Sequence, residues 1–188
     1  MRIIANDIRA GNVLEYKGKL YVVSKTPTWA MPGKGGAFVQ VEMKEMTTGT
    51  KINERFRSTE EVEKVRLDQK EYVYLYTEDD KITLMDRETC DQVVIDKNMI
   101  GDKAAFLKDA MEVTVESYDE KPLNIILPDM VILVVEETES VIKGQTVSSS
   151  YKPAILENGL RIMVPPFIEV GTKIIVKTSD ISYVERAK

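Results

Sequence analysis

No histidine occurs in the 188 residues. The side chain that shuttles protons near neutral pH is missing, which excludes Ser-His and Cys-His nucleophile systems and every histidine metal site. Cysteine is nearly absent too: Cys90 alone allows neither an internal disulfide nor a zinc cluster, which suits a reducing compartment and an incidental thiol. No stretch approaches the ~18 apolar residues of a membrane span. The N-terminal Met1-Arg2-Ile3-Ile4-Ala5-Asn6-Asp7 meets charge too early for a secretory segment. These absences predict a cytoplasmic protein that spans no membrane and has no histidine- or cysteine-based metal site, and they take most of the weight from hydrolase readings; no catalytic residue and no cofactor is assigned.

What is present fits a globular protein: 43% of the residues are apolar and 30% charged. The net charge of -5 by itself argues against a polyanionic partner, but its distribution argues otherwise. Residues 1–57 carry ten basic and five acidic side chains, residues 58–127 nine and eighteen, and residues 128–188 seven and eight. A basic end therefore adjoins an acidic middle.

The patterning is that of short strands. Val13–Tyr16 and Leu20–Val23 flank Lys17-Gly18-Lys19, which reads as a three-residue hairpin connection, and Ala37, Val39, Val41 and Met43 alternate with mostly polar neighbours. A strand over Lys51–Arg57 follows, then the acidic stretch Glu60–Glu63. Tyr72–Tyr76 and Ile82–Met85 form a second hairpin, with the three tyrosines 72, 74 and 76 expected on one strand face. Ile100, Ala104, Leu107 and Met111 recur at helical spacing, so one short helix is expected among the strands. Val113–Tyr118 and Leu123–Leu127 form another hairpin, and Met130–Glu136 another strand. Asn158-Gly159 signals a two-residue turn in which both residues adopt positive φ, before strands at Lys173–Lys177 and Ile181–Arg186. The prediction is an all-β chain of three small barrels in series, bounded as 1–64, 65–127 and 128–188.

One segment invites chemistry. Pro27-Thr28-Trp29-Ala30-Met31-Pro32-Gly33-Lys34-Gly35-Gly36 reads as a loop in which a single lysine stands among three glycines. Glycines on both sides let the Lys34 stem project and the backbone approach another surface closely. A phosphate-binding Walker loop is disfavoured, because Gly35 stands where a hydroxyl residue is needed and a strand follows instead of a helix. A nucleophilic lysine is disfavoured as well, since an open glycine-rich tip does not desolvate the amine. Trp29 flanks the loop and is expected to pack beneath it. Asp79-Asp80 and Glu136-Glu137 lack the D-x-[DN]-x-[DN]-G calcium pattern and read as solvated turns and edges.

The run Pro32-Gly33-Lys34-Gly35-Gly36-Ala37-Phe38, with Thr48-Gly49-Thr50, Lys152-Pro153-Ala154, Leu156, Gly159, Val164-Pro165 and Phe167, resembles bacterial elongation factor P over the whole chain. The resemblance implies an N-terminal SH3-like, KOW-type barrel followed by two OB-fold barrels, L-shaped overall. It implies a monomeric, non-enzymatic factor that binds both ribosomal subunits between the peptidyl-tRNA and exit sites. Such a factor promotes peptide-bond formation at consecutive prolines. The loop Pro32, Gly33, Lys34, Gly35 and Gly36 would then meet the CCA end of peptidyl-tRNA. Lys34 would be the target of a lysine-modifying enzyme, by β-lysylation in many members. Arg9, Lys44, Lys51, Arg55 and Arg57 are candidates for tRNA or rRNA contact through the basic end. Gly144 and Thr146 match the start of a family loop near the exit-site codon, where Val147-Ser148-Ser149-Ser150-Tyr151 replaces a glycine-rich run. Tyr183 and Arg186 match positions near the anticodon arm. The competing readings are a general RNA-binding barrel protein and an elongation-factor-P-like paralogue without the proline-specific role.

Overall fold

A computed structural model describes residues 1–30, 33, 36–140 and 150–188. The chain packs into two compact units, residues 1–70 with 115–124, and residues 71–114 with 125–188.

The first unit is built on β1 (Arg2–Ile4), β2 (Val13–Tyr16), β3 (Lys19–Val23), β4 (Thr28–Ala30), β5 (Phe38–Glu45), β6 (Lys51–Arg57) and β7 (Glu61–Val65). They form one sheet in the order β1-β7-β2-β3-β5-β4, with β6 on the other edge of β5. The alternation read from the sequence holds in β5, where Val39, Val41 and Met43 are fully buried and Gln40 and Lys44 face water. Ala5, Ile8, Leu14, Tyr21, Val23, Phe56 and Val62 complete that core. The β2–β3 connection is shorter than expected. Tyr16 pairs with Lys19, so the loop is Lys17-Gly18 alone, with φ of 50° and 77°. Two left-handed residues match the right-handed strand twist, which is why the chain closes the turn in two. Two segments read as loop or as an acidic stretch are strands: Thr28–Ala30 pairs with β5, and Glu61–Val65 pairs with β1 and β2.

The second sheet contains β8 (Asp68–Glu78), β9 (Lys81–Asp86), β10 (Gln92–Asp96), β11 (Glu112–Tyr118) and β12 (Lys121–Ile126), in the order β10-β9-β8-β11-β12. Here the tyrosine expectation fails. The register shifts between Tyr74 and Tyr76, which pair with Leu84 and Thr83. One extra residue in β8 turns Tyr76 to the opposite face, so Tyr72 and Tyr74 are buried while Tyr76 is exposed. The expected helix is realised as 3-10 turns at Lys97–Met99 and Gly101–Phe106, and Met111 lies outside both. Gly101 has φ +58° and Ala110 φ 62°, so a regular helix cannot run from Ile100 to Met111. Phe106, which the i, i+4 spacing omits, is the fully buried side chain of this segment.

The third sheet, β13 (Met130–Thr138), β14 (Lys152–Leu156), β15 (Arg161–Val164), β16 (Lys173–Lys177) and β17 (Ser182–Arg186), has the order β15-β14-β13-β16-β17. Its buried face carries Leu133, Val135, Ala154, Leu156, Ile162, Val164, Ile174 and Val176. The Asn158-Gly159 turn differs from the two-residue form: Leu156 N–H donates to the Leu160 carbonyl, Gly159 N–H donates to the Leu156 carbonyl, and only Gly159 has positive φ. This is the three-residue loop that ends in a left-handed glycine. Asn158 is used differently, its Oδ1 accepting from Leu160 N–H and its Nδ2 donating to the Ala105 carbonyl. The whole is mostly β, with sheets curled into half-barrels and few helical residues.

Candidate nucleic-acid interface

The loop that carries Lys34 is held by a strand pair. Residues 31–37 join β4 to β5, and Ala30 faces Phe38 across the pairing. Ser58 N–H donates to the Ala37 carbonyl at 2.9 Å, which carries the β5–β6 ladder one residue past its end. Lys34 lies outside the described residues, as do Met31, Pro32 and Gly35. Gly33 and Gly36 are exposed with φ of +58° and +88°, and a Cβ at either would meet nothing within 4 Å. Backbone conformation, not crowding, selects glycine there. Trp29 stands opposite Val39 on β4, and half of its surface is exposed.

Four of the five candidate cations share one surface. In the β5–β6 register, Phe38 faces Arg57, Gln40 faces Arg55, Glu42 faces Asn53 and Lys44 faces Lys51. Since Val39, Val41 and Met43 point inward, these pairs form the outward face of the ribbon. Arg55 lies over the Phe38 ring at 5.4 Å from its centroid. Among the described residues, Lys44, Lys51, Arg55 and Arg57 make no ion pair, whereas Glu42 on the same face is matched by Lys25 at 3.0 Å. Lys44 directly opposite Lys51 is a repulsive pair that costs stability. A polyanion laid along the ribbon would relieve it. The stripe runs to the strand end where the Lys34 loop emerges, with Arg57 nearest to it.

Arg9 does not join this surface. Its Nη1 donates to the carbonyls of Asn6 and Ile8 at 3.0 and 2.9 Å, so the side chain folds over its own turn, which the Arg9 backbone N–H closes by donating to Asn12 Oδ1. Gly144 and Thr146 lie outside the described residues. In the third sheet, Tyr183 is half-buried and Arg186 exposed. The spacing of residues gave no sign that Tyr151 meets Tyr183 edge to face, with centroids 6.4 Å apart and planes at 85°. Burial, reinforced by Tyr151, raises the Tyr183 hydroxyl above its ordinary value against the lowering effect of Arg186. Among the described residues no group of His, Cys, Asp or Glu side chains is arranged to hold a metal, and no helix is long and apolar enough to cross a membrane.

Three family models match in series: the elongation factor P KOW-like domain over residues 4–62, its OB domain over 67–125, and its C-terminal domain over 131–186. The chain is 56% identical over 188 residues to elongation factor P of Rickettsia rickettsii strain Sheila Smith, and 54% identical over 187 residues to those of Parvibaculum lavamentivorans and Brucella canis. All of this chain and all of each relative are covered. Among solved structures, a eukaryotic translation initiation factor 5A from Methanococcus jannaschii is similar in fold, with a TM-score of 0.54 and 18% identity over 67% of this chain and 94% of that one.

Proposed function

The chain belongs to the elongation factor P family of translation elongation factors, and from that premise we propose that it binds the ribosome between the peptidyl-tRNA and exit sites. There it relieves stalling at consecutive prolines by presenting Lys34 to the CCA end of peptidyl-tRNA. The proposal includes the partition into barrels at residues 1–64, 65–127 and 128–188. The observation that carries the reading is the basic outer face of β5–β6, which ends at the strand pair closing the Lys34 loop.

Arg55, Arg57, Lys44 and Lys51 attract the phosphates of the acceptor arm without reading its sequence. The glycines of the loop let the lysine enter a narrow site, and its amine, extended or not by a modifying enzyme, holds the tRNA end. Proline is a constrained nucleophile. Fixing the ester in a reactive orientation is worth several kcal/mol, roughly the range available from positioning. The bond is then made by the ribosome, and the factor contributes orientation.

The test is reconstituted translation through a Pro-Pro-Pro stretch. Lys34→Ala should fold normally and lose the stimulation that the parent protein gives; equal stimulation by both would refute the role of the tip. Intact mass and peptide mapping of protein from its native host should place any added mass on Lys34.

A further inference from the structure

Positioning of the tRNA end leaves the outer face of β8–β10 unused. Register sets Tyr76, Thr83 and Val94 in one row across the three strands, and Val73, Met85 and Gln92 in the next. Tyr76 is 50% and Val94 62% exposed, with Thr83 buried between them. The adjacent row on the other side is Glu78, Lys81 and Asp96, and beyond it lie the tip residues Asp79 and Asp80. Residues 71–96 carry eight carboxylates, of which Asp86 is buried on the opposite face, and two cations, Lys81 and Arg87. Both cations are already engaged, Lys81 with Asp96 at 3.1 Å and Arg87 with Glu71 and Glu112 at 2.9 and 3.3 Å. Among the described residues Glu78, Asp79 and Asp80 make no ion pair.

We propose that this face docks a lysine- and arginine-rich segment of a protein partner. Charge complementarity selects the occupant. The carboxylates repel a phosphate backbone, so nucleic acid is disfavoured here, and they attract a polycation. The apolar row adds what a purely acidic rim lacks. An exposed tyrosine ring accepts an ammonium or guanidinium over its face, and Val94 and Met85 take the alkyl stem of a long basic side chain. The sign is opposite to that of the β5–β6 ribbon, so one chain presents separate surfaces to polyanion and polycation. The choice of ribosomal proteins as the source of the segment rests on the proposed role at the ribosome.

The experiment uses the full chain and purified 70S ribosomes. A benzophenone photocrosslinker in place of the Tyr76 ring should couple to a Lys/Arg-rich stretch of a ribosomal protein, identified by mass spectrometry; coupling to ribosomal RNA alone, or none, overturns the proposal. In reconstituted translation, Glu78→Lys with Asp80→Lys should raise the concentration for half-maximal stimulation about tenfold and leave the saturating level unchanged. If that variant melts below the parent protein, Glu78→Gln with Asp80→Asn takes its place, with the same direction expected. A parent protein that stimulates synthesis beside a variant of equal half-maximal concentration refutes this surface alone. A parent protein that neither binds ribosomes nor stimulates synthesis refutes the proposed role at the ribosome instead.

Discussion

Arg55 holds its guanidinium 5.4 Å from the centroid of the Phe38 ring, and Phe38 is in turn the cross-strand partner of Arg57. One aromatic side chain at the base of the Lys34 loop thus lies under one cation and directly across the strand pair from another, and among the described residues neither guanidinium makes an ion pair. A cation over an exposed ring gains about 0.5–1 kcal/mol, enough to favour one orientation without neutralising its charge. The guanidinium stays available to an anion while its approach is restricted, which is the condition for phosphate contact at low entropic cost.

Removing these cations should weaken ribosome binding in a salt-dependent way. Deleting one cation that neutralises a phosphate reduces the slope of log K against log salt by about 1. Arg55→Ala with Arg57→Ala is therefore expected to bind ribosomes more weakly at low salt, with a slope reduced by up to about 2, and to match the parent protein more closely as salt rises. Filter binding over a salt series measures this. An unchanged slope would remove both residues from the interface.

A pH prediction comes from Glu45, which is buried at the end of β5. Burial alone would push its carboxyl up, but hydrogen bonds from Thr48, Lys19 and Thr47 and the charge of Lys19 hold it below the ordinary value. The Lys19 Nζ and Thr47 Oγ1 contacts are 3.2 and 3.0 Å. A carboxyl whose pKa is lower in the folded state stabilises the fold above its unfolded pKa of about 4 and loses that contribution as pH falls through the folded value. Glu45→Gln should thus melt below the parent protein at pH 7, with the gap narrowing as pH drops below about 4. Melting curves at pH 7, 5 and 3 test it, and a constant gap would refute it.

The alternation of Val39, Val41 and Met43 was legible because a strand with one buried face has to repeat every second residue. The Lys34 loop was legible because its glycines and proline are local signals. Other features depend on partners distant in sequence. Thr28–Ala30 sits in a Pro- and Gly-rich run and becomes a strand only because β5 offers an edge. Tyr151 finds Tyr183 across 32 positions, and nothing in either neighbourhood encodes that meeting. Basic residues were visible as a count in the first 57 positions. Only the β5–β6 register sorted Lys44, Lys51, Arg55 and Arg57 onto one face and left Arg9 folded on its own turn.

Phe106 gives a stability prediction that the sequence spacing would have assigned elsewhere. It is fully buried at the end of its 3-10 turn, whereas Ala104 and Leu107 are only half-buried. Phe106→Ala should cost about 3–5 kcal/mol, the range for deleting a buried aromatic ring and leaving a cavity. Leu107→Ala should cost clearly less. Urea denaturation of the two variants decides it, and equal losses would contradict the burial.

The irregularity in β8 separates two tyrosines that a regular strand would treat alike. Tyr74 is buried and its hydroxyl lies 2.8 Å from Thr77 Oγ1, whereas Tyr76, displaced to the other face by the extra residue, is half exposed. Tyr74→Phe should cost about 1 kcal/mol, the net value of a typical internal hydrogen bond, and Tyr74→Ala several times that through removal of the ring. Tyr76→Ala should stay within about 0.5 kcal/mol, as surface substitutions do. Were strand alternation intact, both alanine variants would be destabilised to a similar degree. Chemical denaturation of Tyr74→Ala and Tyr76→Ala side by side therefore measures the bulge itself: a large difference requires the register shift, and similar losses exclude it.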